Sequence, residues 1–350
     1  MLRVGIIGSG NIARNRHAAG WLRIPDLARV TAISDVSTDA TGLMATMLAA
    51  GGERPAIYDD FQALIREANI DAVDICLPHH LHAGAILAAT AAGKHILCEK
   101  PMCITLEEGD QIVEAVDKAG ITYMSAHNEL FYGPILAAKQ FIDAGSLGTP
   151  YIVRSHEFPQ TYRTAAIPGR PAPTTQMVGW RASQATMGGG MLIDKGYHPT
   201  YILLYLTGSE PVAVTAMTNT FVADMEGEDT ALVMVKFANG AIGQIFTGEG
   251  FVFPHGDQKF HVIGERGEIF GTRTEVFSKP RGFTEPSRIA FPENPANNVF
   301  DMEILHFVDS VATGTPPIQD HRDGRRVLEV IQAAYESVRE GRTVELTSRA

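Results

Sequence analysis

Apolar residues in the first third of the chain fall in short runs separated by stretches of helical period. Residues 4–7, 29–34, 56–58, 72–77, 95–98 and 121–126 read as strands. The intervals read as helices, among them one running to about Leu22, one over 38–50, one opened by Asp59-Asp60 and one over 105–119. Strands alternating with helices predict a parallel sheet covered on both faces, and residues 72–77 fit that environment because only Asp74 interrupts their apolar run.

The pattern changes after residue 126. A helix over 134–144 closed by Gly145 precedes an alternating strand over 151–158. Residues 159–187 lack periodicity and are rich in Pro, Thr, Gly and Ala, so they read as a binding loop offering Tyr162, Arg163, Arg170, Trp180 and Arg181. Strands at 229–238 and 241–248 flank Asn239-Gly240, a type I′ hairpin signal, and 259–264 and 268–271 flank Arg266-Gly267. Helices over 299–313 and 324–339 close the chain. The reading is α/β: a doubly wound parallel sheet over 1–126, then a substrate-binding α/β domain over 127–350 with a large, open-faced, mainly antiparallel sheet. An open sheet face left uncovered predicts a homodimer or homotetramer.

Composition narrows the partners. Hydrophobic residues make up 45% and charged residues 20% of the 350, as in a water-soluble globular protein of two domains. A formal charge of -11 argues against nucleic acid and anionic membrane. Cys76, Cys98 and Cys103 sit in or beside apolar runs with no CxxC spacing, which suggests buried thiols in a reducing compartment. The start holds no signal-peptide core, and the expected location is the cytoplasm. The histidines of Pro78-His79-His80-Leu81-His82 have no carboxylate or thiolate spaced to complete a metal shell, so no metal is expected.

The chemistry begins where the first strand meets Gly8-Ser9-Gly10-Asn11-Ile12-Ala13. A GxGxxA turn opening a helix is the dinucleotide fingerprint, in which Gly8 permits the turn, Gly10 lets a pyrophosphate near backbone N–H groups, and Ala13 keeps helix and strand close. The second strand ends in Asp35, suited to ribose hydroxyls and repelling a 2′-phosphate; with no basic residue in Val36-Ser37-Thr38, NAD is expected rather than NADP. Leu77, Pro78, His79, His82, Glu99 and Lys100 follow strand ends on the ligand side of such a sheet and are further cofactor candidates. Farther on, Gly188-Gly189-Gly190 leads to Asp194 and His198, a carboxylate and an imidazole on one face if the segment is helical. Pro199 conflicts with a continuous helix, so a break just after His198 is expected, with the Asp194 carbonyl accepting the His198 N–H. The glycines would let cofactor or substrate approach the backbone.

The GxGxxA turn, Glu99-Lys100-Pro101, Thr105-Leu-Glu-Glu108, Asn128, Leu147-Gly148, Trp180-Arg181, and the glycine run with Asp194 and His198 together resemble the glucose-fructose oxidoreductase / inositol dehydrogenase (Gfo/Idh/MocA) family over nearly the whole length. The resemblance implies a Rossmann domain, a second open-faced α/β domain, and NAD(P)-dependent oxidation of a sugar, sugar-derivative or cyclitol hydroxyl. It carries the catalytic roles to Lys100, Asp194 and His198, with His198 as base, Asp194 orienting it and Lys100 donating to the reacting oxygen. Asn128, His156, Trp180 and Arg181 are the substrate-binding candidates. The chain departs from the family with His79 in place of Asn, Glu129 where a basic or amide residue is common, Lys195 beside the Asp, and Pro199. Two other readings stay open: a redox-neutral NAD-dependent glycosidase of the same fold, and a non-catalytic NAD-binding regulator.

Overall fold

The computed structural model describes residues 1–158, 179–249, 258–292 and 298–346. They form two compact units, Met1–Asn128 with Ala296–Arg326, and Glu129–Pro295 with Val327–Ala350. The first carries strands β1 (Leu2–Ile7), β2 (Ala28–Ser34), β3 (Ala56–Tyr58), β4 (Ala72–Ile75), β5 (His95–Glu99) and β6 (Tyr123–Ala126). They pair in parallel in the order β3-β2-β1-β4-β5-β6. Strand order reverses between β1 and β4, so the crevice beyond their carboxyl ends is where such a sheet takes a ligand. Every residue of β4 is buried, Asp74 included, as a doubly covered strand demands. The helix Leu106–Ala119 starts on a capping box between Thr105 and Glu108 and stops at Gly120 with φ 64°.

A contiguous division at residue 126 differs from what is found, because residues 296–326 return to the first unit. The reason is apolar burial. Trp21 packs edge-on against Phe307 at 6.4 Å, and Gly20 leaves room for Ile304, whose Cδ1 would stand 2.5 Å from a Cβ there. Arg23 also donates to Asp301 at 2.6 Å.

The second unit holds β7 (Pro150–Glu157), β8 (Pro211–Asn219), β9 (Thr230–Phe237), β10 (Ile242–Gly248), β11 (Phe260–Gly264), β12 (Gly267–Gly271), β13 (Val276–Pro280), β14 (Ser287–Arg288) and β15 (Val344–Glu345). They form one sheet in the order β14-β13-β12-β11-β7-β10-β9-β8-β15, antiparallel except between β7 and β10. Val153, Ser155 and Glu157 lie on the face covered by the helix Tyr197–Thr207, whose Leu203 fills the space over Gly243. The other face exposes Met217, Leu232, Met234 and Ile242. The β9–β10 hairpin forms, but Phe237 N–H donates to Ala241 O across residues 238–240, with φ +87° at Gly240. The connection is therefore a three-residue turn in place of the expected two-residue one. No helix among the described residues is long and apolar enough to cross a membrane.

Candidate functional site

In the first unit, β1 delivers the chain into the glycine turn. Gly8 has φ +95°, and a Cβ there would stand 2.4 Å from the Cys76 carbonyl oxygen, so only glycine fits. Gly10 is exposed and a Cβ on it would meet nothing within 4 Å, which leaves the backbone open where the helix begins. First-turn N–H groups lack intrahelical partners and carry the positive end of the dipole. An exposed turn with this polarity, reached by Asn11 and Ile12, fits a dinucleotide pyrophosphate. Asp35 stands beside it, accepting from Ser9 N–H at 2.6 Å and Ser37 N–H at 2.8 Å. Each carboxylate oxygen keeps a lone pair for a ribose hydroxyl.

The loops after β4 and β5 are tied together by His82. Its ring is fully buried, with Nδ1 2.6 Å from the Pro101 carbonyl oxygen and Nε2 2.7 Å from that of Leu77, and burial lowers its pKa. Both ring nitrogens face backbone carbonyls, to one of which the neutral ring donates, because an inward-facing residue on the helix His82–Ala91 meets the two loops. His79 is likewise buried, whereas Leu77 and Pro78 are half-buried. Lys100 follows β5, and its backbone N–H donates to Glu99 Oε2 at 3.1 Å. Behind this turn lies a buried set the sequence reading did not assemble. His17 Nδ1 is 3.0 Å from both oxygens of Asp74, its Nε2 is 3.2 Å from Glu99 Oε1, and Trp21 Nε1 donates to Asp74 at 2.7 Å. Glu303 is buried beside them.

In the second unit the glycine run has a different use from the one expected. A Cβ on Gly190 would lie 2.3 Å from the Glu228 carbonyl oxygen, and one on Gly189 the same distance from the Tyr335 hydroxyl. These glycines admit neighbouring protein, not a ligand. Glu228 then caps the helix Met191–Asp194, accepting Leu192 N–H at 2.8 Å. Asp194 and His198 occupy separate helices, Met191–Asp194 and Tyr197–Thr207. The break falls at Lys195-Gly196, ahead of His198, because Pro199 is tolerated in the first turn of a helix where its missing N–H would have no intrahelical partner. His198 N–H accordingly donates to Lys195 O at 3.1 Å, and the expected bond to the Asp194 carbonyl is replaced.

Asp194 is fully buried and accepts from Arg181 Nε at 3.0 Å, while the Arg181 guanidinium stacks 4.1 Å over the Trp180 ring. Three predicted residues thus meet here. His198 Nδ1 lies 2.7 Å from the Tyr201 hydroxyl, which also accepts Glu129 N–H at 3.2 Å. The Glu129 carboxylate pairs with Lys259 at 2.8 Å and Arg273 at 3.2 Å, and both cations also pair with Glu157. Burial would raise the pKa of Glu129, yet Lys259, His198 and Arg273 hold it at about 2. Burial draws Lys259 down to about 8. His156 does not join this group: strand alternation places it opposite Ser155 and Glu157, on the open face. Burial and Lys259 bring its pKa down to about 4. Asn128 opens the short helix Asn128–Phe131. Tyr162, Arg163 and Arg170 lie outside the described residues.

Comparison with known proteins decides the family. Residues 2–127 match the model of the oxidoreductase family NAD-binding Rossmann fold, and residues 139–346 that of the oxidoreductase family C-terminal alpha/beta domain. The chain belongs to the Gfo/Idh/MocA oxidoreductase family. It is 30% identical to a myo-inositol 2-dehydrogenase of Thermotoga maritima over 353 residues, covering 99% of this chain and 98% of the relative. It is also 30% identical to a levoglucosan dehydrogenase of Pseudarthrobacter phenanthrenivorans, over 85% of this chain and 78% of that one. A levoglucosan dehydrogenase solved with NADH and levoglucosan shares the fold, with TM-score 0.84 at 23% identity and coverage of 99% and 100%.

Within this family frame, the residues missed in the sequence are those that act through tertiary contact. Lys259, Arg273 and Glu157 come from distant segments, Tyr201 lies one helical turn from His198 inside an apolar run, and only Glu129 left a trace, as a departure from the family pattern. Asp74 left another, as an acid inside an apolar strand.

Proposed function

We propose that this oxidoreductase is an NAD-dependent dehydrogenase exchanging a hydride with a secondary hydroxyl, or the corresponding ketone, of a sugar, sugar derivative or cyclitol. The observation that carries the proposal is end-to-end similarity to a myo-inositol 2-dehydrogenase in a chain that has Lys100, Asp194 and His198. Bound nicotinamide supplies the hydride acceptor. His198 takes the hydroxyl proton, and Lys100 donates to the same oxygen, stabilising alkoxide charge as it develops. Asp194 orients His198 in this reading and also pairs with Arg181, holding the arginine beside Trp180 as a stacked pair suited to hydroxyls and the apolar face of a ring. Asn128 is a further substrate contact in this reading.

Asp35 favours NAD over NADP, because a 2′-phosphate would add negative charge beside the carboxylate. The apolar side chains on the open sheet face support pairing with a second copy of the chain, and buried free thiols support a reducing, cytoplasmic setting. The test is incubation of the purified protein with NAD and a panel of cyclitols, aldoses and glycosides. Net NADH formation is expected. Glycosidic cleavage without NADH would replace the dehydrogenase with a redox-neutral glycosidase, and NAD binding with no turnover of any member would reject both.

A further inference from the structure

The buried set around His17 has a chemistry of its own. His17 lies in the wide helical turn Ala13–Ala18, just after the glycine turn, and its side chain is fully enclosed. Both ring nitrogens face carboxylates, Nδ1 toward Asp74 and Nε2 toward Glu99. Those acids act as acceptors for other donors as well. Asp74 receives the Trp21 indole N–H and the Cys76 thiol, and Glu99 receives the Lys100 backbone N–H. An imidazolium suits this arrangement, since it offers one N–H to each of the two acids while their oxygens go on accepting from the other donors.

The surroundings agree. Burial opposes a charge on His17 more than any other single influence, but Asp74 and Cys76 together outweigh it and hold the pKa well above the usual range. Burial likewise opposes ionisation of Glu99, which His17 and Lys100 together nevertheless bring to about 2. Glu303, the third acid of the set, has no hydrogen-bond partner among the described residues, and burial pushes it well up, so it is the neutral member. Phe300 closes the set with its ring edge-on to His17 at 6.0 Å. One cation therefore joins the helix after the phosphate-binding turn to β4 and to the end of β5, where Lys100 begins.

We propose that His17 is a positioning residue that, as an imidazolium bridging Asp74 and Glu99, fixes the backbone of the Glu99-Lys100 turn relative to the glycine-turn helix. The proposal rests on the reading of Lys100 as the donor to the reacting oxygen. It adds a residue that touches neither substrate nor cofactor, and it explains an acid in an apolar strand and a histidine in the wide turn by one ion-pair chain. A small shift of Lys100 weakens the donor bond in the transition state while leaving the dinucleotide turn in place.

The test has two arms on the full-length protein. In the first, nitrogen-detected NMR of histidine-labelled protein at about pH 8, with His17→Gln to assign its signals, is expected to show His17 carrying hydrogen on both ring nitrogens. A singly protonated ring overturns the proposal. In the second, His17→Gln and, as a variant that keeps the buried imidazole, Glu99→Gln are assayed with the substrate the wild type oxidises. The expected result is a kcat lower by about ten- to hundredfold, with the NADH Kd from fluorescence titration within about threefold of wild type. A lower Tm with kcat unchanged well below that Tm in Glu99→Gln shows a merely structural role and overturns the proposal. Failure of the wild type to turn over any substrate is a separate outcome, which sinks the dehydrogenase reading and with it the role of Lys100, while the first arm still counts the protons on His17.

Discussion

His198 and Asp194 stand four positions apart, yet their described partners are different residues, Tyr201 and Arg181. If His198 is the base, His198→Ala lowers kcat by about two to four orders of magnitude. Near-normal turnover in that variant would return the base role to another group. The Tyr201 hydroxyl governs the orientation of the ring and can accept from or donate to Nδ1, so Tyr201→Phe should lower kcat about tenfold with KM little changed, and displace the pH profile of kcat/KM. An unaltered profile would reduce Tyr201 to packing. The sequence could rank His198 as a candidate from its neighbours in the motif. It could not supply Tyr201, because a tyrosine at helical spacing in an apolar segment reads as core until its hydroxyl is seen to meet a nitrogen.

At the scale of elements, the inner strands of the first unit were legible because burial on both faces leaves few residue types to choose from, whereas the exposed edge strand β3 was marked only by its short apolar run. The long helices were legible from their period and caps, and Val299–Thr313 forms over the range its pattern marks. The short strands β14 and β15, two residues each, carry too little period to register. The glycine run shows the limit most plainly. Small residues announce a close approach but not by what, and only the fold brings Glu228 and Tyr335 to Gly190 and Gly189. Since the Gly190 conflict is with backbone atoms, which cannot rotate away, Gly190→Ala should cost about 1–3 kcal/mol or more of stability. Thermal denaturation checks this, and a Tm equal to wild type would mean that the Gly190 and Glu228 backbones separate easily.

At the scale of the whole molecule, the buried titrating groups predict how stability varies with pH. His17 is raised above 6.5, so the stability it contributes is fully present below about that pH and is lost as pH rises through its folded value. Glu303 is raised above 4.5 and acts in the same direction, contributing at low pH and failing as pH rises. Glu99 and Glu129 are depressed to about 2, so their contribution holds above about 4.5 and is lost as pH falls toward 2. Stability should therefore decline on both sides of neutrality. Glu303→Met, which removes the buried acid, should raise Tm by about 2–4 °C at pH 8–9 relative to wild type and flatten the alkaline slope. An unchanged slope would remove Glu303 from the account. Light scattering at micromolar concentration should show a dimer or larger, and a monomer would mean that the open sheet face has no self-partner.

The sequence by itself determined the parallel first sheet, the nucleotide turn with Asp35, the Lys100, Asp194 and His198 candidates, and the hairpins of the second sheet. Each of these is written in local period, turn chemistry or motif spacing, which neighbours along the chain suffice to express. Only the tertiary structure decided that residues 296–326 complete the first unit, that His82 sits between two loop carbonyls, that His156 takes the open face of its strand, and that Pro199 lies in the first turn of a helix instead of breaking one. It alone assembled His17 with Asp74 and Glu99, and Glu129 with Lys259 and Arg273. All of these depend on what chain packing brings together, and for the two charge clusters the reason is sharpest: desolvation makes an isolated buried charge untenable, so its partner must be present, but that partner is fixed in three dimensions and leaves no spacing in the sequence.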